Sequence, residues 1–227
     1  MTHQHAEIVH PVPYHAQWAS PELVPAIVSG TLPAAEDPRW PEYGAADAAE
    51  YAWWSWRLCG VACLRMALEH WQGSAPSAMA LAAECVEAGA YVRHGDRLDG
   101  LIYAPFASYV RTRWGLEAES RPDLPLAEIP GLVASGRLLM LSVDPGVREL
   151  GPDPGRRGGH LVLAVGTTEE AVVLHNPSGF PGGSQEFARV PWHELARFYA
   201  GRGVVLGPPS EEDGPSRGQE PIMRNMS

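Results

Sequence analysis

The hydrophobic positions of this chain change their period part-way along it. Through the first half they recur at helical spacing, and the clearest helix opens at Cys59 and runs to about Gly73. Leu58 precedes it and Cys59 sits at its mouth. Gly60 lets the backbone turn tightly into the first turn, and Ala62, Met66 and Leu68 supply core contacts. Upstream, Ser20-Pro21-Glu22 marks a helix start with Ser as N-cap and Pro at the first helical position, ended by Gly30. Pro33 to Tyr43 is a Pro-rich surface loop, and Asp47 to Trp56 is a further helical segment leading towards Cys59. Downstream, Ser77 caps a helix through about Ala88 that buries Met79, Leu81, Ala82 and Cys85. A polar loop with His94, Asp96 and Asp99 follows. Gly100 to Trp114 is then a helix interrupted or started late at Pro105, and Leu126 to Ser135 is a short amphipathic helix closed by Gly136.

From Leu138 the apolar residues come in unbroken runs. Leu138 to Val143 is a buried strand ended by Asp144-Pro145-Gly146, and residues 146–159, rich in Gly, Pro and Arg, are a loop. His160 to Gly166 and Ala171 to Asn176 are strands, Gln185 to Val190 a fourth, Pro191 to Ala200 a helix and Gly203 to Leu206 a last strand. Helices first and an antiparallel sheet second is the α+β class, an N-terminal helical half packed on a C-terminal sheet. Residues 1–10 are polar and His-rich, and His3, His5 and His10 fit a flexible terminus better than a metal site. Residues 11–207 form the domain, and 208–227, made largely of Pro, Ser, Glu and Gly, is a tail expected to be disordered.

Size and charge narrow the function. A chain of 227 residues with 45% hydrophobic content buries one core, and a net charge of -10 argues against nucleic-acid surfaces and anionic membranes. Cys59, Cys63 and Cys85 are an odd number and do not form a disulfide framework. No apolar run is long enough to span a bilayer and no signal-peptide pattern opens the chain, so a reducing cytoplasm is the expected compartment. Cys59 and Cys63 lie four apart, but no Cys/His pair of matching spacing completes a metal site, and no cofactor is expected.

The candidate chemistry starts at Cys59. A thiol at a helix N-terminus feels the positive end of the helix dipole, which favours the nucleophilic thiolate; a Cys flanked by apolar residues is equally a plain core residue. The strands at His160 and Ala171 are joined by Thr167-Thr168-Glu169-Glu170, short enough for a hairpin. A pairing centred near Thr168 sets His160 opposite Asn176, on one face and at the loop end where a cleft forms. A slip by one residue would pair His160 with His175 instead and turn Asn176 away. Taken singly, His160 fits a structural strand-edge histidine and Asn176 a turn residue in Asn-Pro-Ser-Gly. Together with Cys59 they supply a nucleophile, a base and an orienter: His160 would take the Cys59 proton to give a thiolate–imidazolium pair, and Asn176 would hold the ring.

With Val12-Pro13-Tyr14-His15-Ala16-Gln17, Cys59-Gly60-Val61-Ala62-Cys63-Leu64-Arg65-Met66, Gly159-His160-Leu161-Val162-Leu163-Ala164-Val165-Gly166 and Asn176-Pro177, the chain resembles a papain-like cysteine peptidase of the double-glycine leader peptidase-like, bacteriocin-processing branch. The resemblance implies that fold, with Cys59 as nucleophile, His160 as base, Asn176 as third member and Cys63 as a core residue. Two features depart from the family. Asn176 stands where this branch often has Asp, and Trp53 occupies the place of the Gln that shortly precedes the nucleophile and donates to the oxyanion. An insertion at 18–55 would separate Gln17 from the helix while the fold returns it to the site, where it would join the Cys59 N–H as oxyanion donor. The insertion carries Trp40, Tyr43, Tyr51, Trp53, Trp54 and Trp56, either a satellite core or, for Trp53, Trp54 and Trp56, a wall of a substrate groove. Gly158 and Gly159 would let a substrate backbone approach. The expected function is cleavage of a peptide or amide bond through an acyl-Cys59 intermediate, on a peptide or an amide-containing small molecule. The alternatives are an amide-forming acyltransferase using the same acyl-enzyme and a catalytically silent binding module.

Overall fold

The computed structural model describes residues 7–209. The helices α1 (Val24–Val28), α2 (Ala48–Ser55), α3 (Cys59–Gln72), α4 (Ala78–Glu87) and α5 (Tyr103–Trp114) precede most of the sheet. The helix signals operate largely as the sequence indicates. Asp47 caps α2 by accepting from the Glu50 N–H at 2.8 Å, and Ser77 accepts from the Ala80 N–H. Gly73 closes α3 in the left-handed region, where glycine carries no Cβ penalty. Ser20 differs: its hydroxyl donates to Asp37 at 2.6 Å instead of capping α1. The Pro-rich stretch that looked like plain surface contains this fully buried carboxylate, which also accepts from the Ser20 and Arg39 N–H groups and the Tyr51 hydroxyl. An unpartnered buried carboxylate would be costly, so the four donors are what permit it.

Six strands follow the order β4 (Leu116–Arg121), β9 (Tyr199–Pro209), β5 (Leu138–Val143), β6 (His160–Thr167), β7 (Ala171–His175), β8 (Ala188–Pro191), all antiparallel. β1 (Ile8–Val9) pairs with the end of β6, so residues 8–9 of the stretch expected to be flexible are strand. Gly166 permits this, because a Cβ there would meet the Ile8 carbonyl at 2.6 Å. β4 was not foreseen: Leu-Glu-Ala-Glu-Ser-Arg alternates, but its glutamates mask the pattern. β9 runs through Pro209, past the expected strand end, while 210–227 lie outside the described residues, as do His3 and His5. A separate hairpin, β2 (Arg93–His94) with β3 (Arg97–Leu98), carries the polar loop.

Both faces of the sheet are covered. Met140, Leu163 and Val204 pack with α3 and α4, while Leu141, Val162 and Leu174 pack with α6 (Ile129–Ala134) and α7 (Trp192–Phe198). This is why β5 and β6 are apolar without alternation, and it adds a second helical layer, drawn from the C-terminal half, to the expected arrangement. No helix among the described residues is long and apolar enough to cross a membrane.

Candidate active site

Cys59 is the first residue of α3, placed there because Leu58, fully buried, plugs the chain into the core just before the helix begins. The first intrahelical bond is Ala62 N–H to Leu58 C=O, so the N–H groups of Cys59, Gly60 and Val61 precede the hydrogen-bonded ladder. A cavity of about 480 Å³ opens over this end, and Cys59, Gly159 and His160 share its wall with Trp56 and Tyr91. Cys59 as a residue is only partly buried, whereas Cys63 and Cys85 are fully buried, and all three are free thiols. The dense surroundings push the Cys59 thiol up, against the opposing pull of the Leu161, Gly60 and Cys59 N–H groups. Burial therefore outweighs the helix end, contrary to the resting thiolate expected from the dipole.

His160 reaches the cavity by a different register from the one expected. Leu163 pairs with His175 and Ala164 with Leu174, and a bulge at Val165 moves the pairing by one beyond it. His160 is thus displaced by two residues from direct opposition to Asn176. Two is an even number, so both side chains stay on one face and meet diagonally. His160 Nε2 lies 2.8 Å from Asn176 Oδ1. The Ser178 N–H donates to the same oxygen at 3.0 Å, which fixes that atom as the acceptor and requires the imidazole proton to sit on Nε2. Nδ1 then carries the free lone pair. Burial lowers the His160 pKa to about 4, with the Asn176 bond opposing and the Arg148 charge reinforcing the shift. At neutral pH the resting pair is thiol and neutral imidazole.

Two residues of this network were not singled out from the sequence. Ser178 Oγ lies 3.0 Å from His160 Nε2 and 3.3 Å from Asn176 Oδ1, and Arg148 donates to it at 2.9 Å. Arg148 has a buried Nε without a partner and is held below its usual pKa by burial. Asn-Pro-Ser-Gly marked a turn, and a Ser two residues after the orienter was the one available signal. Arg148 lies in the loop after β5 and left none.

The remaining candidates divide. The Gln17 N–H donates to the Pro177 carbonyl at 2.9 Å, and its carboxamide donates to Ser55 C=O at 3.0 Å, so the excursion over 18–55 is tied shut at its two ends. The Gln17 side chain is not on the cavity wall and its Oε1 is buried without a partner, so the expected approach to an oxyanion is not made. Of the three tryptophans, Trp56 lines the cavity, half exposed and edge-on to Trp18 at 5.1 Å. Trp54 is buried against Tyr91, and Trp53 stacks with Arg57 and Arg93, so neither forms the wall expected of them. Tyr43 and Tyr51 belong to the core. Gly158 is likewise off the wall: at φ +94 it packs where a Cβ would meet Arg202 at 2.9 Å and Ser142 at 3.1 Å.

The Peptidase_C39-like family matches residues 46–203. No curated protein sequence matches the chain. Among solved structures, a Bacillus anthracis protein assigned to the C39-like peptidases superposes with a TM-score of 0.54 at 14% identity, covering 88% of this chain and 97% of that one. The peptidase domain of Streptococcus ComA, a bifunctional ABC transporter of a quorum-sensing pathway, matches at 17% identity and TM-score 0.46, over 67% of this chain and 92% of that one. A double-glycine-motif protease from a transporter, solved with its leader peptide, matches at 17% identity and TM-score 0.43, over 66% and 84%.

Proposed function

The chain belongs to the Peptidase_C39-like family, a cysteine peptidase-like family with a papain-like fold, and from that premise we propose that it hydrolyses a peptide bond through an acyl-Cys59 intermediate. The observation that carries this reading is the bond from His160 Nε2 to Asn176 Oδ1, which leaves Nδ1 as the free acceptor of a residue that lines the same cavity as Cys59. As the scissile carbonyl enters, Nδ1 takes the thiol proton and the sulfur attacks the carbonyl carbon. The imidazolium then protonates the departing amine, and the acyl group stays on Cys59. Water, deprotonated by the same nitrogen, releases the acid and restores the thiol. The Cys59 N–H, ahead of the helical ladder, supplies an oxyanion donor, and the adjoining helix end favours the developing charge. Gln17 in this reading braces the turn before Cys59 through Ser55.

Alkylation with iodoacetamide followed by peptide mapping tests the nucleophile. Selective labelling of Cys59 alone is not sufficient, because Cys63 and Cys85 are buried in any case. The expected result is labelling at neutral pH that drops by about 10²-fold or more in His160→Ala, the low end of what a positioned base contributes. Unchanged labelling in that variant would leave a silent module. Intact-mass detection of an acyl-enzyme released by water, and not captured by added amines, separates hydrolysis from amide formation.

A further inference from the structure

The catalytic cavity does not end at His160. Ser120, Pro122 and Arg202 also line it, and Arg202 is in addition a wall of a second depression of about 390 Å³. That depression has an apolar floor of Leu124, Leu126 and Tyr199, with Arg157 on its rim. The segment from Ser120 to Leu126 thus runs along both, giving one track that leads away from Cys59.

The charge on this track is opposite to that of the whole molecule. The chain carries a net charge of -10, yet no Asp or Glu lines the second depression. Arg157 and Arg202 are exposed and make no ion pair among the described residues. Of the acids around the track, Glu119 and Glu128 pair with Arg121, Asp153 with Arg197, and Asp99, on the catalytic cavity, with His94 and Arg97, while Asp123, in the 120–126 segment, makes no ion pair among the described residues. Two guanidinium groups left without carboxylates beside an apolar floor suit a ligand that brings its own carboxylate, since a guanidinium fork matches that group geometrically.

We propose that Arg157 and Arg202 form an acidic-residue subsite, in which a Glu or Asp of an extended peptide is held while the bond to be cut lies over Cys59. This deepens the peptidase reading and rests on it for the peptide's role as substrate, although binding itself requires no turnover. Specificity of this kind comes from charge complementarity and weakens with salt.

The test uses full-length Cys59→Ala protein and fluorescein-labelled hexaglutamate and hexaglutamine, with binding read by fluorescence anisotropy. Hexaglutamate is expected to bind about tenfold more tightly than hexaglutamine, a margin lost at high salt and in the Arg157→Gln/Arg202→Gln double variant. The charge-reversed Arg157→Glu/Arg202→Glu variant is expected to prefer labelled hexalysine, a gain that a merely unfolded protein would not give. Equal binding of the two peptides, or a preference that survives the double variant, overturns the subsite. Since these measurements need no reactive cysteine, absence of Cys59-dependent cleavage would strike the peptidase reading and leave the subsite standing.

Discussion

Cys59 and His160 reach the same cavity by opposite routes. Cys59 is placed by local structure, a buried Leu58 followed at once by the start of a helix, in which Gly60 has no left-handed turn and instead makes room for Leu101 and Leu161. His160 is placed by pairing across the sheet, by two glycines in the left-handed region just before it, and by partners on the loop after β7. The helical side tolerates small changes of register, because a helix start moves as a unit. On the sheet side a one-residue slip would carry the base to the opposite face. Perturbations of the loop after β7 should therefore disable the base while leaving the thiol in place.

Acid should separate the two sides most strongly. The folded His160 pKa, lowered from 6.5 to about 4 by burial, means that the unfolded chain binds more protons between those values. Stability then rises with pH through that window and is lost as pH falls through it, by about 3 kcal/mol when fully expressed. His175 acts in the same direction, its pKa lowered by burial, and its protonation would also break the bond its Nδ1 accepts from the Phe187 N–H. Urea midpoints measured from pH 7.5 to 4.5 should fall steadily, and His160→Gln should remove much of the slope. An unchanged slope in that variant would mean that the sheet-side imidazole is not held neutral by burial.

Next in size is Asn176→Ala. It frees the imidazole from the bond that fixes its tautomer, and turnover should fall by about 10²-fold while Cys59 stays accessible to a small alkylating reagent under denaturant-free conditions. Asn176→Asp keeps the acceptor and adds a charge beside Nε2. It should raise the His160 pKa, seen as an upward shift of the acid limb of the pH–rate profile. If both variants lose the thiol's accessibility as well, the two routes are one cooperative unit and the contrast between them fails.

The elements that were legible in the sequence are those whose signal is local. α2, α3 and α4 announce themselves by Asp47, Gly73 and Ser77 at their ends, and β5 and β6 by apolar runs. Cys59 at a helix start follows from the same kind of signal. The pairing of β6 with β7 was legible only to its parity, because a bulge at Val165 leaves no mark in an apolar strand. β4 was hidden by its glutamates, and Asp37 by a stretch whose prolines and charges resemble surface. The aromatic insertion misled about Trp53 and Trp54, since aromatic content alone does not tell a groove from a core. Arg148 was invisible because its partner, Ser178, is thirty residues away in the chain.

That unforeseen pair gives the finest test of the contrast. Arg148 donates to Ser178 Oγ, and Ser178 in turn touches both His160 Nε2 and Asn176 Oδ1, with its own N–H on that same oxygen. Ser178→Ala removes the hydroxyl and keeps the N–H, so the tautomer survives and only one support of the ring is lost. A loss of about threefold to tenfold in turnover follows, the size of one modest hydrogen bond. Arg148→Gln removes a cation that disfavours imidazolium, so the His160 pKa should rise, whereas Ser178→Ala leaves that charge in place. Histidine ring resonances followed by NMR through the acid range read this directly. Equal pKa shifts in the two variants would mean that Arg148 acts only by holding Ser178; a shift confined to Arg148→Gln shows its charge setting the base from outside the cavity.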